Sequence, residues 1–145
     1  MIRVSVTRLR LRAAWLMPLF VPHALRAAGQ ARRADGYLGG ALLLDRKRAF
    51  WTMTVWRDAA AMRGYVTADA HRQAMPRLPH WCDEASVAHW EQPDDDLPSW
   101  NHACQQMKAH GRPSTVHMPS PDHQDMAFPP PRPILSRFLP PMCKL

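Results

Sequence analysis

The sequence predicts an α+β fold of the ferredoxin-like type, with the element order βαββαβ across residues 1–91. Residues 49–56 alternate with a period of two, and helical spacing begins directly after Asp58. The same succession of a strand and then a helix opens the chain over residues 2–33. This order places two helices on one face of a four-stranded antiparallel sheet.

The first strand and helix are both indicated by periodicity. Over residues 2–7, isoleucine and valine alternate with arginine, serine and threonine, which is typical of a strand. Arg8, Arg10 and Arg12 then alternate with Leu9 and Leu11, as on the solvent-exposed face of a strand. Helical spacing follows from Phe20 to Ala31, and prolines occur only in its first turns, where a helix tolerates them. Gly36 ends this helix, because glycine readily adopts the left-handed backbone of a helix C-terminus.

The middle of the chain predicts a hairpin and a second helix. Residues 37–44 and 49–56 form two strands joined by a charged turn, and Asp58 is the predicted N-cap of the helix. The helical pattern continues past a break at Thr67 as far as Leu78. Residues 85–91 supply the fourth strand.

One face of this sheet must be covered by something other than the two helices. That face carries either the set Trp51, Met53 and Val55 or the set Phe50, Thr52 and Trp56. An exposed apolar sheet face favours aggregation. We therefore expect a second copy of the sheet to cover it in a symmetric homodimer.

Composition changes after residue 91. Ser99 caps a short helix with an apolar side, which we expect to pack on the domain or on the partner. Nine of the 15 prolines lie at or beyond Pro113, and no periodicity is visible there. The predicted organisation is a ferredoxin-like domain at 1–91, a loop and packing helix at 92–111, and a disordered tail at 112–145.

Charge and cysteine usage narrow the class of protein. The net charge of +7 keeps nucleic-acid binding as an alternative, through Arg8, Arg10, Arg12 and the turn at 46–48, although no reading motif accompanies it. Three cysteines without a CxxC pair indicate reduced thiols in the cytoplasm. The N-terminus could pass for a signal peptide, but its alternation and two interrupting prolines argue against one. No apolar run is long enough to cross a membrane.

Four residues are candidates for a functional site. His71 could ligate iron or transfer a proton, or it could simply cap or pack at a helix break. Trp51, Trp56 and Tyr65 could line a pocket for a flat apolar compound, or they could form an ordinary aromatic core. The histidines of the C-terminal part are not spaced i, i+4, so a zinc-binding helix is not indicated and no metal site is expected.

The run VWRDAAAMRGYVTADAHRQAM resembles the strand-to-helix segment of the dimeric α/β-barrel monooxygenases. This group includes antibiotic-biosynthesis monooxygenases and haem-degrading enzymes. The similarity is greatest to an uncharacterised bacterial monooxygenase-like family and extends distantly to spheroidene monooxygenase. The stretches GYLGG, FWTMTVW, AAMRGY and HWE and the Ala70-His71 pair carry it.

The resemblance implies a homodimer whose two sheets face each other around a pocket. The haem-degrading members use Asn, Trp and His at positions that correspond to Thr7, Tyr65 and Met75, so this chain departs from them at all three. A histidine of spheroidene monooxygenase lies near the position of His71, and that match is retained.

The sequence and the resemblance together predict a small monooxygenase-like protein that oxidises an apolar aromatic or polyene compound between sheet and helices. The cofactor is haem, or there is none. His71 is the predicted polar group, and the aromatic residues named above are the predicted walls. The alternative is a non-catalytic dimeric module that binds a small apolar ligand.

Overall fold

The structure, a computed structural model, describes residues 1–67 and 76–142. The strands are β1 (Ile2–Leu11), β2 (Tyr37–Asp45), β3 (Ala49–Trp56), β4 (Cys82–Gln92), β5 (Arg112–Pro113) and β6 (Pro133–Phe138). The helices are α1 (Met17–Arg33), α2 (Ala59–Val66), α3 (Leu78–Trp81) and α4 (Trp100–His110), and a 3₁₀ turn at Ala14–Leu16 precedes α1. The predicted continuation of the second helix lies mostly outside the described residues.

The strands form one antiparallel sheet in the order β5-β4-β1-β3-β2-β6. The inner four strands, β4-β1-β3-β2, have the ferredoxin-like arrangement that the sequence predicts. Strand β1 is central, and its Val6 lies opposite Met53 of β3 and Ala88 of β4. This part of the fold prediction is confirmed.

The prediction of a four-stranded sheet with a disordered tail is wrong. Strands β5 and β6 both come from the segment after residue 111, and each adds to one edge of the sheet. Edge positions tolerate proline, because the missing N–H would face solvent there. The end of β6 is held by the Tyr37 hydroxyl, which donates to the Leu139 carbonyl at 2.6 Å, and by the Leu139 amide, which donates to the Gly40 carbonyl at 2.8 Å. The division of the chain into three segments stays a prediction.

The predicted N-caps of α2 and α4 are confirmed by their geometry. The Asp58 carboxylate accepts from the Ala61 amide at 2.8 Å, and the Ser99 hydroxyl accepts from the His102 amide at 3.1 Å. Gly36 has a φ of 82°, which a residue with a side chain rarely adopts. A Cβ atom there would lie 2.5 Å from the Ala61 side chain, so glycine also allows the close approach of α2.

Helices α1 and α2 cover one face of the sheet through two separate apolar clusters. At one end, Leu11, Leu16, Phe20 and Cys82 are buried together with Phe50 and Trp81 beside them. At the other end, Ala31, Tyr37, Trp56 and Met62 are buried, with Tyr65 packed against them. The strip of sheet between these clusters contains the polar residues described below.

The opposite face, which was expected to need a second copy, is buried to a large extent by the chain itself. Helix α4 and Phe128 pack on it, and Trp51 is 0% exposed in the single chain. The buried residues of this core are Val4, Val6, Leu43, Ala49, Trp51, Met53, Val55, Ala88, Ala103, Cys104, Met107 and Phe128. Of the two expected positions for the apolar side of this helix, it takes the one on the domain.

Arg8 of β1 does not lie on a solvent-exposed face, contrary to the sequence prediction. The Arg8 side chain is 2% exposed and donates to the Glu84 carboxylate at 2.9 Å, while its guanidinium carbon lies 4.3 Å from the centre of the Phe128 ring. Arg10 donates to the same carboxylate at 2.6 Å. A nucleic-acid interface through Arg8 is therefore excluded by burial. Within the described ranges, no helix combines the length and apolar composition that a bilayer crossing requires.

Candidate functional site

A strip of polar side chains crosses the middle of the helix-covered sheet face. This polar floor consists of Ser5, Thr7, Thr52, Thr54 and His89. In the strand register, Ser5 lies opposite Thr54 and His89, and Thr7 lies opposite Thr52. All except Thr54 are partly accessible to solvent, although β1 is the central strand. The helices therefore do not cover this strip completely.

Aromatic side chains close both ends of the polar floor. At one end, the Phe20 ring centre lies 4.6 Å from that of Phe50 and 6.4 Å from that of Trp81. At the other end, Trp56 stacks on Tyr65 with ring centres 5.2 Å apart. The Trp56 indole N–H donates to the Thr54 hydroxyl at 2.9 Å, which joins this aromatic pair to the floor. The arrangement suits a flat apolar molecule with a few polar groups.

His89 is the titratable group of the floor. Burial lowers the pKa of its imidazole, and the positive charges of Arg3 and Arg112 lower it further. The ring is therefore neutral at pH 7. Among the described residues it has no hydrogen-bond or ion-pair partner, so one ring nitrogen is free to accept a proton.

The Tyr65 phenol is protonated at neutral pH and cannot act as a base there. Burial raises the pKa of its phenol to about 12, and the hydroxyl donates to the Ala27 carbonyl of α1 at 3.1 Å. Trp56 is 0% exposed and lies behind Tyr65. The pair presents a neutral aromatic surface.

The structure brings two of the predicted site residues together and separates a third. Trp56 and Tyr65 stack on the helix-covered side. Trp51 lies on the opposite face, where its indole donates to the Asp45 carboxylate at 3.1 Å and its ring contacts Phe128. Trp51 and Trp56 therefore do not share a pocket. His71 lies outside the described residues, as does Met75.

The sequence analysis missed the polar floor. The alternation of Ser5 and Thr7 with Val4 and Val6 was visible, but only the strand register brings these residues beside Thr52 and His89. The motif HWE was noted for its resemblance and not for its histidine. Pairing the polar positions of all inner strands would have found the strip.

Metal and thiol chemistry have no support in the described ranges. These contain no group of three histidine, cysteine or acidic side chains that could hold a metal ion. Burial raises the pKa of the Cys82 thiol to about 12, with a smaller contribution from Asp83, so it is not a nucleophile at neutral pH.

Comparison with known proteins identifies one family and several structures of similar fold. The family model described as domain of unknown function DUF3291 matches residues 12–115. No functionally curated protein sequence matches.

Three solved structures illustrate the likeness of fold. SnoaB, a cofactor-independent oxygenase from Streptomyces nogalater, is 19% identical with a TM-score of 0.54, over 68% of this chain and 98% of that one. An antibiotic biosynthesis monooxygenase is 15% identical with a TM-score of 0.57, over 65% and 100% of the two chains. Rv0793 from Mycobacterium tuberculosis is 10% identical with a TM-score of 0.60, over 67% and 100%.

Proposed function

Because this chain belongs to the DUF3291 family and has a monooxygenase-like fold, we propose that it is a small monooxygenase. Its proposed substrate is an apolar aromatic or polyene compound held between the sheet and the helices. SnoaB is an oxygenase that works without a cofactor. The same mode of action is open to this chain.

The observation that carries the proposal is the polar floor between two aromatic ends. Ser5 and Thr7 are partly accessible in the centre of a sheet whose opposite face carries the main apolar core. Tyr65 supplies a flat surface at one end of this strip, with Trp56 behind it. Small-molecule sites have this composition, with apolar walls and a few convergent polar groups.

The proposed reaction inserts one atom of O₂ into the substrate and releases the other as water. Without a cofactor, the substrate itself supplies the electrons, which requires a substrate that readily loses a proton to become an electron-rich anion. His89 is placed to accept that proton, since its imidazole is neutral and unpartnered in the described part. We also propose His71 for proton transfer or iron ligation, on the resemblance alone.

The alternative is that the protein uses haem as its cofactor. Haem fits the chain only if a side chain is suited to ligate its iron. Tyr65 does not fit as a ligand, since its pKa is raised to about 12 and its hydroxyl is bonded to Ala27. A neutral histidine fits, and His89 or His71 would hold the iron. Bound haem would supply the activation of O₂. An absorption spectrum of the protein with added haem, repeated for His71→Ala and His89→Ala, identifies the ligand by loss or shift of the Soret band.

Oxygen uptake with anthrone tests the function. Anthrone is a flat tricyclic ketone with an acidic C–H, and its oxidation to anthraquinone consumes one O₂ and forms one water. We expect protein-dependent uptake that falls at least tenfold in His89→Ala and in Tyr65→Ala. The matched control is His110→Ala, an exposed histidine at the end of α4.

The outcomes separate the proposal from its alternative. Equal uptake with parent and His89→Ala would remove His89 from the reaction. Binding of anthrone without any uptake, across a panel of aromatic and polyene compounds, would leave a non-catalytic ligand-binding module.

A further inference from the structure

A cleft of about 720 Å³ opens between α1 and α2. Its described lining is Arg26, Gln30, Arg33, Ala34, Asp35, Arg57, Ala60, Ala61, Gly64 and Tyr65. Tyr65 belongs both to this cleft and to the aromatic end of the polar floor. The cleft and the proposed substrate pocket therefore share one lining residue.

The cleft carries an excess of positive charge. Among the described residues, three arginines line it against one acidic residue, Asp35. Asp35 is paired with Arg57 at 3.4 Å, and Arg57 also lies 3.5 Å from the Asp58 carboxylate. Arg26 and Arg33 have no ion-pair or hydrogen-bond partner among the residues that the structure describes. Within the described ranges, two guanidinium groups at this opening therefore have no acidic partner.

The sequence places these two arginines on one face of α1. They are seven residues apart, which corresponds to two helical turns, and Gln30 lies between them on the same side. The third arginine, Arg57, follows strand β3 and is held beside the cleft by a backbone hydrogen bond to Gly36. The Arg57 amide donates to the Gly36 carbonyl at 2.8 Å, and the absence of a Cβ at Gly36 leaves room for α2.

We propose that this cleft binds a carboxylate group of an aromatic ligand whose ring lies against Tyr65. A guanidinium is planar, always charged at neutral pH and suited to bidentate pairing with a carboxylate. The ring of Tyr65 is neutral and stacks on Trp56, so it offers an aromatic surface beside the charge. The proposal rests on the proposed function for the aromatic part of the ligand and adds the anionic part.

Binding of 2-naphthoate, compared with its uncharged counterpart 2-naphthamide, tests the proposal by isothermal titration calorimetry. The two compounds share their shape and aromatic surface and differ in charge. We expect the carboxylate to bind at least tenfold more tightly, and its affinity to fall about tenfold or more in Arg26→Gln and in Arg33→Gln. Raising the salt concentration weakens carboxylate binding, because both guanidinium groups are near solvent.

The control variant is Arg46→Gln. Arg46 is exposed in the turn before β3, whereas Arg57 follows the other end of that strand, so Arg46 lies away from the cleft. It should bind 2-naphthoate like the parent. Loss of affinity in this variant equal to that in Arg26→Gln would show that net charge alone attracts the ligand, and would overturn the proposal.

Two further outcomes separate this inference from the proposed function. If both compounds bind equally and Tyr65→Ala weakens both, the aromatic pocket stands and the carboxylate site is wrong. If neither compound binds at millimolar concentration, the carboxylate site is wrong, and oxygen uptake with anthrone decides the function independently.

Discussion

At the residue scale, one buried carboxylate binds two arginines of the central strand β1. Glu84 is 4% exposed and receives hydrogen bonds from Arg8 at 2.9 Å and from Arg10 at 2.6 Å. Burial by itself would raise the pKa of Glu84, but the bonds from Arg10 and Arg8 outweigh it and hold the pKa below its usual value. Because the pKa of this carboxyl is lower in the folded state, its ionised form stabilises the fold.

The resulting prediction concerns acid unfolding. Ionised Glu84 adds to the free energy of unfolding. This contribution is fully present above the pKa of a glutamate in the unfolded chain, about 4.3, and is lost as the pH falls through the lower pKa of the folded state. We therefore expect the free energy of unfolding of the parent to fall more steeply below about pH 4.3 than that of Glu84→Gln. Urea unfolding at a series of pH values measures both slopes.

The control for this prediction is Glu91→Gln. Glu91 is half-exposed and lies 3.8 Å from Arg3, so its ion pair contributes little. Its acid dependence should match that of the parent. Parallel curves for the parent and Glu84→Gln would show that the buried network does not depend on ionisation of this carboxyl.

Residue-scale prediction from the sequence succeeded where local chemistry decides. The caps at Asp58 and Ser99 and the left-handed Gly36 follow from short-range rules, and the structure has all three. It placed Arg8 on a solvent-exposed face, whereas Arg8 is buried. It also could not tell that Trp56 contacts Tyr65 while Trp51 lies on the opposite face of the sheet. The face to which a strand residue points depends on what covers each side, which is a long-range property.

At the element scale, α4 takes the place that the sequence analysis gave to a second molecule. Its buried residues Ala103, Cys104 and Met107 pack on the sheet face that contains Trp51. An apolar stripe on a helix predicts that the helix packs but not on which surface. The sequence therefore left two positions open, on the domain or on the partner.

A core substitution in α4 measures how much this helix stabilises the chain. Met107 is 0% exposed, and Met107→Ala should lower the free energy of unfolding by about 2–5 kcal/mol. Gln105→Ala, on the exposed side of the same helix, should change it by no more than about 0.5 kcal/mol. Equal effects in chemical denaturation would mean that α4 is not packed as described.

The edge strand β6 was predicted as disordered because proline content hides its pairing. Its residues are exposed on both faces, so no apolar periodicity could reveal it. Pairing with β2 and the bond from the Tyr37 hydroxyl to Leu139 hold it in place. Contacts made across 102 residues of sequence leave no local signature.

Removing that hydroxyl tests the attachment of β6. Tyr37→Phe leaves the buried Leu139 carbonyl without this donor, which should cost about 1–3 kcal/mol locally. We expect faster hydrogen exchange of the Leu139 amide, which donates to Gly40. The amide of Met53 in the central part of the sheet serves as the internal control and should not change. Unchanged exchange at Leu139 would show that strand pairing alone holds β6.

At the scale of the whole molecule, the homodimer stays a prediction with a changed geometry. The sheet face that was expected to form the interface is covered by α4 and Phe128 within one chain. An interface between two copies must therefore use another surface. The physical argument for dimerisation from an uncovered sheet no longer applies, while the resemblance to a dimeric group of enzymes still does.

Light scattering coupled to size-exclusion chromatography decides the oligomeric state. The chain has a mass of 16.6 kDa, and the prediction is a particle of twice that mass. Met107→Ala should not change the mass, since the face beneath α4 is not the interface. A particle of one chain mass at micromolar concentration would remove the homodimer.

We propose that oxygen from O₂ enters an aromatic substrate above the polar floor. Mass spectrometry of the product formed from anthrone under ¹⁸O₂ tests this step. We expect anthraquinone with one ¹⁸O atom per molecule, formed by the folded parent and strongly reduced in His89→Ala. Label derived from water instead of O₂, or identical product yields with the parent and with unfolded protein, would contradict it.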